Sequence, residues 1–247
     1  MNRVMFGVVA AALVFSPLAA QAQDDSVKGK VSITLRGGVE TVVNGDLHEG
    51  GRGTVLGLGT SVDAKTFNDV YGGFQTLRVG GGAGFGVADN VEIIGNVSYA
   101  KGTADALQVG TVAGLALNAQ FADYEDLTVE GGLRLHVPTS GPIDPYVNLV
   151  AGLRRVSAIP ATFSVPAAGV TLADTPFYDE SNVPVVGGDL GVALKLNSNV
   201  SLGAEVGLRW QGALTDIEGL RGTGLENLND VGQRWSVPVS AVLSFRF

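Results

Sequence analysis

The sequence of 247 residues contains no cysteine and only two histidines. Without cysteine there are no disulfides and no thiolate metal ligands, so the fold needs another source of stability, such as a sheet that closes on itself. Basic residues are also scarce: 16 lysines and arginines stand against 24 aspartates and glutamates, a net charge of −8. This balance argues against nucleic acid or an anionic membrane surface as a partner.

Long apolar runs are missing too, apart from one near the amino terminus. Residues 4–15 are almost wholly apolar, Arg3 precedes them, and Ala20-Gln21-Ala22 has the small-x-small form of a cleavage site. A membrane-spanning helix needs about 20 apolar residues, so this run is too short for an anchor. We therefore predict a cleaved signal peptide over residues 1–22 and one exported domain over residues 23–247.

Glycine is abundant, with 36 residues, and it lies within segments that alternate strictly between apolar and polar residues. This alternation predicts β-strands, because successive side chains of a strand point to opposite faces. Two folds share the pattern: a soluble sandwich of half-buried strands, and a membrane β-barrel whose apolar face meets lipid. The eight predicted strands cover residues 31–40, 77–87, 91–99, 127–137, 147–154, 186–196, 202–211 and 236–247.

The connections between these segments favour the membrane barrel. Short connections rich in turn residues alternate with long ones, and outer-membrane barrels have short periplasmic turns and long extracellular loops. We predict an all-β fold, a transmembrane antiparallel up-and-down β-barrel of eight strands in the outer membrane. The short connections are residues 88–90, 138–144 and 197–199; the long ones are 42–73, 100–126, 157–184 and 212–233.

Three further features bear on the strands. Residues 54–62 and 107–117 also alternate, and they leave ten strands open as an alternative. Pro238 cannot donate a ladder hydrogen bond, so we expect a bulge or interrupted pairing there. Aromatic residues near the predicted strand ends suggest two interfacial girdles. These residues are Phe74, Tyr99, Trp210 and Trp235 towards the long loops, and Phe85, Tyr146, Phe245 and Phe247 towards the short turns.

The segment "GGLRLHVPTSGPIDPYVNLVAGL" (131–153) and the terminal "SFRF" resemble the small outer-membrane barrels, namely the OmpA transmembrane domain, OmpX, OmpW and the opacity-type proteins. The resemblance implies a monomer surrounded by outer-membrane lipid and lipopolysaccharide. It also implies that the barrel-assembly machinery reads a carboxy-terminal signal. In this sequence the signal would consist of Val239, Leu243, Phe245 and Phe247.

The side chains at the polar positions of the strands would point into the barrel lumen. An eight-stranded barrel is just wide enough for side chains to fill it, and buried charges must pair. We expect a network of ion pairs that plugs the lumen, with a narrow channel for small solutes as the alternative. The charged residues of this parity are Arg36, Glu40, Arg78, Glu92, Glu130, Arg134, Arg154, Asp189, Lys195, Glu205, Arg209 and Arg246.

Catalysis is the weakest of the functional hypotheses. Some small barrels are lipid-modifying enzymes, but this sequence has no G-x-S-x-G motif, and its two histidines fall far apart in the predicted topology. We expect His136 to join the lumen network and His48 to be solvated in the first long loop. We therefore expect no enzyme, no cofactor and no metal site. The predicted function is a structural or surface-interaction role through the extracellular loops, whose partner the sequence does not name.

Overall fold

The computed structural model describes residues 26–55, 57–72, 76–217 and 222–247. The predicted signal peptide lies outside these residues. Besides a short α-helix, α1 (Phe67–Tyr71), and a 3-10 helix (Pro166–Ala168), the described residues form sixteen strands. In chain order these are β1 (Val31–Asn44), β2 (Asp46–His48), β3 (Gly51–Val55), β4 (Leu58–Val62), β5 (Lys65–Thr66), β6 (Thr76–Ala88), β7 (Val91–Gly102), β8 (Leu107–Val112), β9 (Leu115–Phe121), β10 (Tyr124–His136), β11 (Ile143–Val156), β12 (Ile159–Val165), β13 (Val170–Tyr178), β14 (Ser181–Lys195), β15 (Val200–Gln211) and β16 (Arg234–Arg246).

Eight of these strands close into an antiparallel barrel in the order β1-β16-β15-β14-β11-β10-β7-β6. Strand β6 pairs with β7 on one side and with β1 on the other, and the pairing with β1 closes the ring. The predicted fold class and the eight strand positions are confirmed. Several strands run farther towards the long connections than the alternation indicated; β1, for example, continues to Asn44.

The barrel is apolar outside and polar inside. Leu35, Leu153 and Leu190 point outward and are 54%, 60% and 64% exposed, whereas Glu92 and Asn148 point inward and are fully buried. Water cannot solvate a continuous belt of this kind, and monomeric soluble proteins rarely expose apolar patches above a few hundred Å². The belt is covered by lipid, so the protein is a transmembrane barrel of the outer-membrane type.

Strand pairing at Pro238 is interrupted on one side. The β15–β16 ladder pairs Val206 with Val239 and resumes at Arg209 with Ser236, without a change of register. On the other side, Pro238 keeps its place opposite Glu40 of β1. The expected interruption is confirmed, and it takes the form of a local gap in one ladder because proline supplies no N–H to it.

The predicted aromatic girdles need one correction. Tyr99, Phe85 and Phe247 are exposed on the outer surface, and Trp210 pairs with Trp235 near the long connections. Tyr146, in contrast, is only 4% exposed and lies in the lumen. Its parity is that of Asn148, an inward-facing residue, so its aromatic character was a poorer guide than its register. Phe74 lies outside the described residues.

The long connections form a second sheet outside the barrel. Six strands pair in the order β13-β12-β9-β8-β4-β3, here called the extracellular sheet. Residues 54–62 and 107–117, which allowed ten barrel strands, belong to hairpins of this sheet, so the ten-strand alternative is wrong. The strands β2 and β5 form a separate small ladder.

The extracellular sheet has its own apolar core. Leu47, Phe121, Ile159 and Tyr178 are at most 2% exposed, and they come from three of the four long connections. The fourth contributes Leu214, Leu225, Leu228 and Val231. The hydroxyl of Tyr178 donates to the carbonyl of Leu47 at 2.5 Å, which ties the first connection to the third. The long connections therefore form an ordered structure stabilised by burial of apolar surface.

Candidate functional site

The charged side chains in the lumen form three clusters of ion pairs along the barrel axis. The cluster nearest the extracellular sheet is centred on Glu40, which accepts hydrogen bonds from Arg78 at 2.7 Å and from Arg154 at 3.2 Å. Arg78 also pairs with Asp126 at 2.8 Å. The hydroxyl of Ser236 donates to Glu40 as well. Each of these charges has an opposite partner, as burial requires.

The middle cluster is centred on Glu205. Its carboxylate accepts hydrogen bonds from Arg36 at 3.0 Å and from Arg134 at 3.1 Å. The hydroxyl of Tyr146 donates to the same carboxylate at 2.9 Å, and Asn148 donates at 3.1 Å. The guanidinium of Arg134 lies 4.2 Å from the centre of the Tyr146 ring, a cation–π contact. One carboxylate therefore compensates two arginines.

Beside the middle cluster, Arg209 bridges two acidic residues. It donates to Glu130 at 2.8 Å and to Asp189 at 2.7 Å. A side chain at Gly187 would collide with Arg209, since an added Cβ would lie 2.5 Å from its Cδ. In the segment "GGGAGFG" (80–86), the space left by Gly82 is taken by Asn96. The glycines therefore make room for lumen side chains, which are Arg209 beside Gly187 and the amide of Asn96 beside Gly82.

The third cluster lies at the end with the short turns. The ring of His136 has Nδ1 2.9 Å from Asp144 and Nε2 3.1 Å from Glu92. Arg246 approaches the same two carboxylates, but only to 3.9 Å and 4.0 Å. His136 therefore lies in the lumen network, at the periplasmic end of β10.

All twelve charged residues predicted for the lumen have the inward parity, and ion pairs between barrel residues connect most of them into the clusters described above. Lys195 lies at the periplasmic rim and lines a cavity there. Several partners were missed by the sequence analysis because they fall just outside the predicted strand limits, although their parity is the same. They are Asp126, Asp144, Tyr146 and Arg234, whereas Gln211 is the last residue of the predicted strand 202–211 and is uncharged.

Space in the lumen is limited. A cavity of about 50 Å³ remains between the first two clusters, bordered by Arg36, Glu40 and Arg209 among others. A buried water needs roughly 10–15 Å³ of such space, so this cavity holds a few waters at most. A larger cavity of about 320 Å³ opens at the end of the lumen with the short turns.

An aromatic layer separates the lumen from the extracellular sheet. Phe67 and Tyr71 of α1 pack on Tyr124, with ring centres 6.2 Å and 5.8 Å apart. The guanidinium of Arg234, which is 1% exposed, lies 4.7 Å from the centre of the Phe67 ring. The helix is held in place by a capping box in which Thr66 and Asp69 bond reciprocally. Burial raises the pKa of the Tyr71 hydroxyl well above its usual range.

His48 is buried, so the expectation that it is solvated was wrong. It is 2% exposed within the core of the extracellular sheet, stacked on Phe121 at 6.0 Å and against the edge of Phe177 at 6.1 Å. Its Nδ1 donates to the carbonyl of Glu49 at 3.0 Å, and its Nε2 is buried without a partner. Burial lowers the pKa of His48, while the bond to Glu49 opposes this shift.

The outer ends of the extracellular sheet are uncharged and apolar. All neighbouring strands of this sheet are antiparallel. The hairpins β3–β4, β8–β9 and β12–β13 therefore all turn at the same end of the strands. Here we call the described residues of these turns and their flanks, 55, 57–58, 112–115 and 165–172, the hairpin ends. Residues 53–62, 106–122 and 156–173 carry no charge. The exposed apolar residues of the hairpin ends include Leu58 at 49%, Leu115 at 41%, Val170 at 55% and Leu172 at 59%.

The residues predicted as an assembly signal lie on or beside β16. Val239 is 39% exposed and Phe247 is 68% exposed, both on the outer surface, while Leu243 and Phe245 are half-buried. Phe247 follows the strand and exchanges two backbone hydrogen bonds with Val31, at 2.9 Å and 3.0 Å. Recognition of these residues by the assembly machinery stays a prediction.

The described residues were also compared with the requirements of a metal site and of a membrane-spanning helix, and they meet neither. Among the residues that the structure describes, no group of three or more His, Asp and Glu side chains is arranged to hold a metal ion. No helix in the described part of the chain is long and apolar enough to cross a membrane.

No protein-family model and no curated protein matches this chain. Solved structures with a similar fold include Neisserial surface protein A, at 14% identity and a TM-score of 0.43 over 88% of this chain and 96% of that one. OprG from Pseudomonas aeruginosa has 14% identity and a TM-score of 0.43, over 91% and 98%. The outer-membrane protease OmpT from Escherichia coli has 7% identity and a TM-score of 0.43, over 90% and 98%. Likenesses this distant do not select a function.

Proposed function

We propose that this protein is an outer-membrane surface-interaction protein with a plugged lumen. The observation that carries the proposal is the row of hairpin ends, which are uncharged over long stretches and expose Leu58, Leu115 and Leu172. Contiguous exposed apolar residues mark interaction sites in soluble surroundings. The partner is an apolar surface, and the rigid core beneath the hairpin ends keeps them presented together.

The lumen supports a mechanical role for the barrel in this proposal. Only about 50 Å³ is free between the first two clusters, and the aromatic layer of Phe67, Tyr71 and Tyr124 lies above them. The barrel then serves as an anchor that holds the extracellular sheet away from the membrane. We further propose that the barrel is monomeric and is inserted by the barrel-assembly machinery through the residues on β16.

The test of the proposal is adhesion of cells that display the protein to hexadecane droplets. The triple variant Leu58→Ser, Leu115→Ser and Leu172→Ser removes apolar area from the hairpin ends without adding charge. We expect adhesion to fall several-fold, since burial of apolar area contributes about 25 cal/mol per Å².

The matched control is Thr54→Ser with Thr171→Ser, which changes exposed polar residues of two of the same hairpins. It should leave adhesion unchanged. Surface display of all variants is measured by antibody labelling, so that loss of protein is separated from loss of contact. Equal adhesion of the triple variant and the parent protein would contradict the proposal.

A further inference from the structure

A cavity of about 320 Å³ opens at the end of the barrel with the short turns. Its lining carries four basic side chains, those of Lys30, Arg134, Lys195 and Arg246, against one acidic side chain, that of Asp144. The whole protein has a net charge of −8. The wall of this cavity, here called the periplasmic cavity, therefore carries more basic than acidic side chains although the protein is acidic.

Arg246 differs from the other lumen arginines in how it is paired. Its guanidinium makes no hydrogen bond within the described residues, since the nearest carboxylate oxygens, of Glu92 and Asp144, lie at 3.9 Å and 4.0 Å. Its Nε is buried without a partner. Both carboxylates are already engaged by His136 at 3.1 Å and 2.9 Å. Arg246 therefore has donors to spare at the wall of the cavity.

Ser32 supplies a second unused polar group in the same wall. Its side chain is 2% exposed, it lines the periplasmic cavity, and its Oγ has no hydrogen-bond partner. A buried hydroxyl without a partner is destabilising, and a ligand that accepts its hydrogen bond removes that cost. Ser32 also stands opposite Arg246 in the β1–β16 ladder. The two unpartnered groups are thus direct neighbours across one strand pair.

We propose that the periplasmic cavity binds a phosphate-bearing anion, held by Arg246 and Ser32. An arginine matches phosphate with two parallel charge-assisted hydrogen bonds, and a hydroxyl adds a third donor. The volume lies at the lower end of the range for small-molecule sites, so it admits a phosphate ester as well as free phosphate. The ester belongs to a small periplasmic solute or to a lipid headgroup. This site lies at the opposite end from the hairpin ends and does not depend on their function.

The test is isothermal titration of the refolded protein in dodecyl maltoside micelles and phosphate-free buffer. Glycerol 3-phosphate is the soluble probe, and short-chain dihexanoyl phosphatidylglycerol is the lipid probe. We expect saturable binding of at least one probe. The variant Arg246→Gln should weaken that binding at least tenfold, and Ser32→Ala should weaken it several-fold.

Arg155→Gln is the matched control, because Arg155 is an exposed arginine of β11 that pairs with Glu180 at 2.7 Å near the other end of the barrel. It should bind as the parent protein does. Heat-modifiability on gels verifies folding, and Ser32→Ala carries the test if Arg246→Gln does not fold. Preference for one probe assigns the source of the phosphate. Absence of saturable binding of both probes, or equal weakening by Arg155→Gln, would overturn the proposal.

Discussion

At the scale of single residues, the lumen shows how charge can be buried at acceptable cost. Glu205 compensates Arg36 and Arg134 at once, and Tyr146 and Asn148 satisfy its remaining oxygen positions. A pair with complete hydrogen bonding can offset the desolvation of its charges, whereas a single unpaired charge cannot. The network is therefore sensitive to the loss of any shared partner.

Replacing Glu205 by alanine should lower the free energy of unfolding by about 3–5 kcal/mol, because buried Arg134 and half-buried Arg36 lose the carboxylate that they share. Urea unfolding in lipid vesicles, followed by tryptophan fluorescence, measures the change. Glu180→Ala removes an exposed partner of Arg155 and should cost less than about 1 kcal/mol. Similar losses in the two variants would show that the lumen network contributes no more than a surface pair.

His48 makes the extracellular sheet sensitive to acid. Its pKa is lowered in the folded sheet, chiefly by burial, so protonation favours the unfolded sheet. The stability contributed by neutral His48 is present above the ordinary histidine pKa of about 6.5, and it is lost as the pH falls below that value towards the folded pKa. Lys65 lowers the pKa further, while Asp46 and Asp63 raise it.

We therefore expect protease digestion of the long connections to accelerate between pH 7.5 and pH 5. The variant His48→Leu keeps an apolar side chain in contact with Phe121 and Phe177 and should remove most of this acceleration. An acid-stable protease is used, and its own pH dependence is measured on a denatured substrate. If the variant responds to acid as strongly as the parent protein, other groups govern the sheet.

At the scale of elements, the barrel strands and the extracellular sheet differ in what stabilises them. Each barrel strand pairs on both sides within a closed ring, whereas β13 and β3 are the edges of the outer sheet. The outer sheet depends on a shared apolar core, in which Phe177 contacts both His48 and Phe121. Removing one hairpin should therefore affect the sheet and spare the barrel.

Replacing residues 160–177 by a short glycine-serine linker tests this difference. The barrel should still fold, with the mobility shift on heating that marks closed barrels, while the remaining connections become protease-sensitive because their core is open. As a control, only residues 166–169 are replaced by a shorter glycine-serine turn between β12 and β13. This change should leave the protease resistance of the long connections intact. Failure of the larger deletion to form a barrel would show that the two sheets fold as one unit.

At the scale of the whole molecule, the plug that we propose for the lumen has two parts in series. One is the ion-pair network, and the other is the aromatic layer with the core above it. The network does not use residues of the extracellular sheet, since its clusters are built from residues of the barrel strands. Lumen closure should accordingly persist when the sheet is disturbed.

Planar-bilayer recordings should show no steady conductance from the parent protein or from the protein without residues 160–177. Neutralising the middle cluster with Glu205→Gln and Arg134→Gln provides the contrast, because it removes the ion pair between these two lumen residues. Steady conductance steps in the parent protein would make it a narrow channel. Steps that appear only after the hairpin deletion would make the extracellular sheet the barrier.

The sequence by itself determined the barrel, because the alternation of apolar and polar residues shows which side chains of a strand share a face. Parity alone placed Arg36, Glu130 and Arg246 in the lumen and Leu35 and Leu153 towards lipid, and the order of short and long connections set the topology. Where parity and residue type disagreed, as at Tyr146, parity was the better guide. The partners that parity did not yield, such as Asp126, lay at strand ends, where alternation fades.

Only the tertiary structure decided what the long connections form. Leu47 and Tyr178 are 131 positions apart in the chain, and neither local alternation nor turn chemistry indicates that they meet. His48 looks like a loop residue in sequence because its burial depends on Phe121 and Phe177, which come from two other connections. A strand pattern is local and readable, whereas a core assembled from distant loops exists only once the barrel has brought them to the same end.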